Sequence, residues 1–194
     1  MVLPWTKEFF QEYQSANEFS GGLEVTTGLE VVKWCPPIDG FYKINTDTTL
    51  VGEKIVIGVG AVIQNHLGQV MAYTAQHLEV SVSTKLAEAM AIIWGIGFTV
   101  DSSLMPAIIE SDALSMVSHI NSGSPNHTKL GFICGDIAKY IQDGVIIVVS
   151  FVPQKANVVT HTLAKMALSI NHDRFWMETF PSCVERLIVE DYPN

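Results

Sequence analysis

Three β-like runs follow one another with almost no chain between them: FYKINTDTTL (41–50), IVIGVGAVIQN (55–65) and QVMAYTAQHL (69–78). Links this short leave no room for a crossover helix, and His66, Leu67 and Gly68 make a tight turn, so the three strands form an antiparallel meander. The period then changes. STKLAEAMAIIWGIGF (83–98) is too long for a strand and rich in Ala, Leu, Met and Ile, which predicts a largely buried helix. PAIIESD (106–112) reads as a short buried strand, followed by helices near 113–121 and 128–142, a further buried strand VIIVVSFV (145–152), and a closing helix that ends near 170. Three antiparallel strands, then helix, strand, helix, strand, helix, predict an α/β fold. Its five-stranded mixed sheet carries two late parallel strands and is covered by helices on both faces.

A chain of 194 residues with 48% hydrophobic content can bury one good core, which argues for one domain with appendages. The compact part spans 34–170. Before it, Trp5, Phe9, Phe10 and Tyr13 fall on one helical face and SGG and TTG interrupt the pattern, so 1–33 reads as a short helix and linker; 171–194 reads as a tail. MVLPWTKEFFQEY lacks an apolar signal core and VIIVV is too short to span a bilayer, which predicts a soluble intracellular protein with no membrane partner, in nucleus or cytoplasm alike. Cys35, Cys134 and Cys183 stand too far apart for a zinc knuckle or a disulfide framework.

The net charge of −9 divides evenly, −3 in each of 1–33, 34–170 and 171–194, and the only arginines are Arg174 and Arg186. Nothing resembles a basic stripe for long-lived nucleic-acid binding, so any such contact should be weak unless metal ions bridge it.

Three acids do not fit their surroundings. Asp47 lies inside a strand, on the same side as Lys43 and Asn45, while Tyr42, Ile44 and Thr46 alternate to the other side. Glu88 is the only acid between 80 and 100, on a helix that otherwise reads as buried, and Asp112 ends AIIESD at the carboxyl edge where open α/β sheets place ligands. Each has an ordinary use as well: Asp47 facing water, Glu88 on a solvent stripe, Asp112 as a helix cap. In ANVVTHTLAK (156–165), Asn157 has the chemistry of an N-cap, and His161 stands in the first turn, off the apolar face of Val159, Leu163 and Met166. A helix amino end disfavours imidazolium, which points to a neutral ring able to bind metal or to make one hydrogen bond.

In this order, WCPPIDGFYKINTD, IGVGAVIQNHLGQV, KLAEAMAI, IIESDALSMV and VPQKANVVTHTLAK resemble the ribonuclease H fold. The likeness is to the reverse-transcriptase-like type of plant genomes and non-LTR retroelement ends, and it covers 34–170. WMETFPSCVERLIVED looks like the short tail that follows the domain in plant relatives. The resemblance implies a metal-dependent endonuclease acting on the RNA strand of an RNA/DNA hybrid. Its first three acids fall on Asp47, Glu88 and Asp112, with His161 in the place of the fourth. It also implies two divalent ions, Mg²⁺ or Mn²⁺, about 4 Å apart, which need oxygen ligands that converge. Ser83, Thr84 and Lys85 stand where relatives present polar side chains to the hybrid's backbone, and serve equally as ordinary helix N-terminal residues.

The sequence departs from the family pattern in three places: Thr48 follows the first aspartate where a small residue is usual, the histidine-bearing loop before the last helix is missing, and Gln154 and Lys155 replace a helix-opening arginine. Two functions follow as expectations. One is a hybrid-directed ribonuclease, monomeric, with a possible former reverse-transcriptase context. The other is a domesticated retroelement remnant that binds nucleic acid or protein without catalysis. A doubly wound nucleotide-binding domain is disfavoured, because no glycine-rich phosphate loop follows the first strand.

Overall fold

The computed structural model describes residues 34–51, 56–123, 127–177 and 179–191; the expected N-terminal helix and linker, 1–33, lies outside them. The meander forms as β1 (Tyr42–Val51), β2 (Val56–Gln64) and β3 (Val70–Glu79). Asn65 closes the β2–β3 turn by accepting the Leu67 and Gln69 amides on its side-chain oxygen, and Gly68 takes a φ of 73°, open to glycine without a Cβ clash. Helix α1 (Thr84–Asp101) runs three residues past the predicted end and begins at Ser83, whose hydroxyl accepts the Leu86 amide. There follow β4 (Ala107–Ser111), α2 (Leu114–Asn121), α3 (Lys129–Gln142), β5 (Ile146–Phe151), a 3₁₀ turn (Gln154–Ala156), α4 (Val158–Ala167), β6 (Arg174–Met177) and α5 (Glu185–Asp191).

The strand order is β5-β4-β1-β2-β3-β6, with β1 central, antiparallel to β2 and parallel to β4. The sheet therefore has six strands where five were predicted. Arg174–Met177 pairs antiparallel with β3, from Ala72↔Met177 to Ala75↔Arg174, so the segment expected as a tail supplies an edge strand. Four residues are too few to display a period of two. What holds them is tertiary: the Phe175 ring stands 5.9 Å from that of Phe98 on α1, and Trp176 packs into the core beneath α4.

Alternation along the strands divides two cores. Ile44, Ile63 and Ile109 face α1, α2 and α3 together with Ile92, Ile96, Met116 and Ile137, while Val62 and Tyr73 face α4 with Val159, Leu163 and Val184. Helix α4 seats directly on β2 because the strand offers Gly58 and Gly60 there. A Cβ at either would run into the carbonyl of Ala164 or Thr160 respectively. Gly95 does the same for α1, bringing its backbone against Thr46 and Ile44 of β1. Among the described residues no helix is long and apolar enough to cross a membrane.

Candidate active site

Strand β4 ends its pairing with β1 at Thr46↔Ser111, so β1 runs on past it and the next residue of each strand, Asp47 and Asp112, stands at the edge of the gap. Helix α1 enters from the α1 side of the sheet with Glu88. The three carboxylates line one cleft of about 200 Å³ together with Thr48, Leu50, Thr84, Ala91, Ser111 and Ala113.

Asp47 is nearly enclosed, its side chain 10% exposed, and both oxygens are held. The Thr48 amide donates to Oδ1 at 2.7 Å, and His161 Nδ1 lies 2.7 Å from Oδ2. Burial, followed by repulsion from Asp112, pushes the Asp47 carboxyl up to about 6, against the opposing pull of its two hydrogen bonds. Glu88 is also raised, first by desolvation and then by Asp112, with Lys85 acting in the opposite direction. Asp112 thus stands within electrostatic reach of both other acids. Strand register and helix seating bring His161 in: Asp47 pairs with Gly60, and Gly60 is where the Thr160 carbonyl sits on β2. His161 meets Asp47 from the α4 side and is not among the residues that line the cleft.

Of the three predicted backbone-binding residues, only Thr84 lines the cleft; Ser83 caps α1 and Lys85 is exposed on its first turn. Asn157 makes no side-chain cap bond. Its amide donates to the Thr46 carbonyl and its oxygen accepts from Thr160, so a contact with β1 has displaced the local capping use. Ala113, not Asp112, occupies the N-cap position of α2.

Sequence reasoning missed Glu110. Its carboxylate is buried with Lys43, Nζ to Oε1 2.7 Å, and accepts from Asn45 Nδ2 at 3.0 Å on Oε2. The signal was a lone acid in the apolar run AIIES matched by a lone lysine in β1, 67 residues apart and unpaired by any local rule.

Residues 45–167 match the model of the family described as reverse transcriptase-like. The chain belongs to that family. This reverse transcriptase-like chain is 21% identical over 190 residues to an Arabidopsis thaliana protein named, provisionally, as a ribonuclease H protein; the match takes in 98% of the chain and 30% of that relative's length. Among solved structures it is similar to ribonuclease H1 of the halophilic archaeon Halobacterium salinarum (17% identity, TM-score 0.57, 67% of this chain and 98% of that one). It is likewise similar to LC11 ribonuclease H1 in complex with an RNA/DNA hybrid (18%, 0.57, 66% and 96%). The protease–reverse transcriptase of prototype foamy virus is a third neighbour, at 13% identity and TM-score 0.53, with 75% of this chain and 23% of that one covered. The fold is ribonuclease H-like.

The donor chemistry of the reverse transcriptase-like site suits hard divalent cations: three carboxylates, no thiolate, and two acids whose raised protonation a cation would reverse. Among the described residues no three His, Cys, Asp or Glu side chains gather around a single point. The acids share a cleft without closing on one centre.

Proposed function

We propose that this domain is a metal-dependent endonuclease that cleaves the RNA strand of RNA/DNA hybrids. The observation that carries the reading is the common cleft of Asp47, Glu88 and Asp112, three acids from three elements, with Asp47 raised to about 6 by burial and by Asp112. Isolated structural carboxylates avoid such company; ligands of a shared cation require it. Asp47, Glu88, Asp112 and His161 would hold the ions. Two divalent cations, Mg²⁺ or Mn²⁺, supply charge neutralisation at the scissile phosphate and lower the pKa of the attacking water when bound.

The chain's own residues do the rest. Asp47 must be ionised to serve, and the Thr48 amide and His161 both favour its charged form. A neutral His161 that donates from Nδ1 keeps the Nε2 lone pair for an ion or a water. Thr84 on the cleft wall, with Ser83 and Lys85 beside it, meets the backbone of the hybrid or a ribose 2′-hydroxyl. The chain is soluble and intracellular in this reading, and acts as a monomer.

One observation favours the noncatalytic remnant instead: both Asp47 oxygens already have protein partners, so an ion must displace or share them. The test is digestion of matched RNA/DNA, DNA/DNA and RNA/RNA duplexes, each strand labelled separately, in Mg²⁺ and in Mn²⁺. Loss of the RNA strand from the hybrid alone supports the nuclease. Intact substrates in both metals support the remnant.

A further inference from the structure

Beneath the acids, one strand step below Asp47 and Asp112, lies a buried polar chain that the apolar sheet around it does not require. Asn45 and Glu110 are register partners across β1 and β4, two residues before Asp47 and Asp112 respectively. Asn45 Nδ2 donates to Glu110 at 3.0 Å, and Asn45 Oδ1 accepts the Trp34 indole N–H at 2.9 Å. Lys43 Nζ bridges Glu110 at 2.7 Å and the Cys35 carbonyl at 2.8 Å, and stands 5.5 Å from the centroid of the Trp34 ring. Trp34, in turn, packs on Val152 and Ala156, at the start of the connection to α4. From that connection Asn157 donates to the Thr46 carbonyl, one turn before His161.

A buried ion pair is weak support for stability, since apolar residues of similar volume do as well or better; its distinctive contribution is direction. Here the directed bonds tie together the three elements that carry Asp47, Asp112 and His161. We infer that Trp34, Lys43, Asn45 and Glu110 are positioning residues for the carboxylate site, and that the working unit begins at Trp34, eleven residues before the 45–167 family match. The inference rests on the nuclease reading only for its catalytic consequence; the ordering of β1 and β4 stands independently of it.

Two double variants isolate the cross-strand bond without leaving a lone buried charge. Lys43→Met/Glu110→Leu removes it; Lys43→Met/Glu110→Gln restores an acceptor for Asn45. Three measurements are taken on each and on wild type: thermal midpoint, amide hydrogen exchange at Asp47, Thr48 and Asp112 in metal-free protein, and Mn²⁺ binding by paramagnetic resonance. The Gln variant should melt near wild type and the Leu variant somewhat below it, because the buried Asn45 amide there loses its acceptor. The Leu variant should exchange those three amides faster while the other strand amides keep their protection, and should bind Mn²⁺ roughly tenfold more weakly, with the Gln variant recovering both in part, because the Lys43 bridge from Glu110 to the Cys35 carbonyl is still missing. Hybrid cleavage is measured last: wild type that orders its amides but cleaves nothing refutes the nuclease, not the positioning. Exchange at the three amides equal to wild type in the Leu variant, or slowed and quickened together with the whole sheet, overturns the positioning role.

Discussion

At the scale of single residues, Asp47 couples stability and function with opposite signs. Its carboxyl is raised to about 6 in the folded chain against 3.8 unfolded, so the folded state holds its proton more tightly. That contribution is fully present below pH 3.8 and is lost as pH rises through about 6, leaving the ionised form a cost of roughly 3 kcal/mol at pH 7. Asp47→Asn, whose oxygen keeps the Thr48 amide and whose NH₂ meets His161 Nδ1 once the imidazole takes its other tautomer, should therefore stabilise the metal-free protein by about 1–3 kcal/mol at pH 7 and by nothing near pH 4. Thermal melts at the two pH values check this; a lower midpoint at pH 7 contradicts it. Cleavage should run the other way, rising with pH as Asp47 ionises around 6, with the rise moving to lower pH as metal concentration increases, because cations bind only the carboxylate. On the proposed reading His161 sets the choice of ion. An imidazole in the fourth place removes a charge and a hard oxygen, so Mn²⁺ should outperform Mg²⁺, and His161→Asp should narrow the ratio of the two rates. An unchanged ratio would remove His161 from the metal site.

At the scale of elements, the site depends on how closely two helices approach the sheet. Gly60→Ala would drive a Cβ into the Thr160 carbonyl, a backbone atom that cannot turn aside, so α4 must lift and carry His161 away from Asp47. The expected cost is about 1–3 kcal/mol in denaturant unfolding. Gly95→Ala should cost a similar amount, since its Cβ would stand 2.5 Å from Cγ2 of Thr46, a fully buried, β-branched side chain with little room to turn. Equal, negligible costs at both would mean that α4 is not seated through Gly60. The same elements mark what a sequence can reveal. Asp47, Glu88 and Asp112 stood out as charges set in apolar patterns, but the pattern alone left each an ordinary use; the resemblance to the ribonuclease H fold grouped them, and the structure places the three in one cleft. The sixth strand was not legible, because RFWM is held by pairing with β3 and by Phe98, contacts that lie far away along the chain. Asn157 misled for the same reason: a capping side chain was diverted to the Thr46 carbonyl 111 residues earlier. Glu110 was hidden because its partner Lys43 becomes a neighbour only through the parallel pairing of β1 with β4.

At the scale of the whole molecule, the proposed nuclease carries a net charge of −9 with two arginines, and on that reading it meets a polyanion across a cleft of acids. Affinity for a hybrid duplex should be weak and should rise steeply with divalent ions, which offset the repulsion between phosphates and carboxylates. Tight binding in EDTA would favour a metal-free binding module instead. The chain spans 30% of the length of its Arabidopsis relative. The central claim is that Asp47, Glu88 and Asp112 form a working nuclease centre. Its most direct test is single-turnover cleavage in Mn²⁺ of a hybrid labelled on the RNA strand, by purified wild type and by Asp47→Asn shown to be folded. Cleavage of the RNA by wild type that falls to background in Asp47→Asn is the predicted result. Equal cleavage by both, or none by either, would contradict it and leave a retained fold without its chemistry.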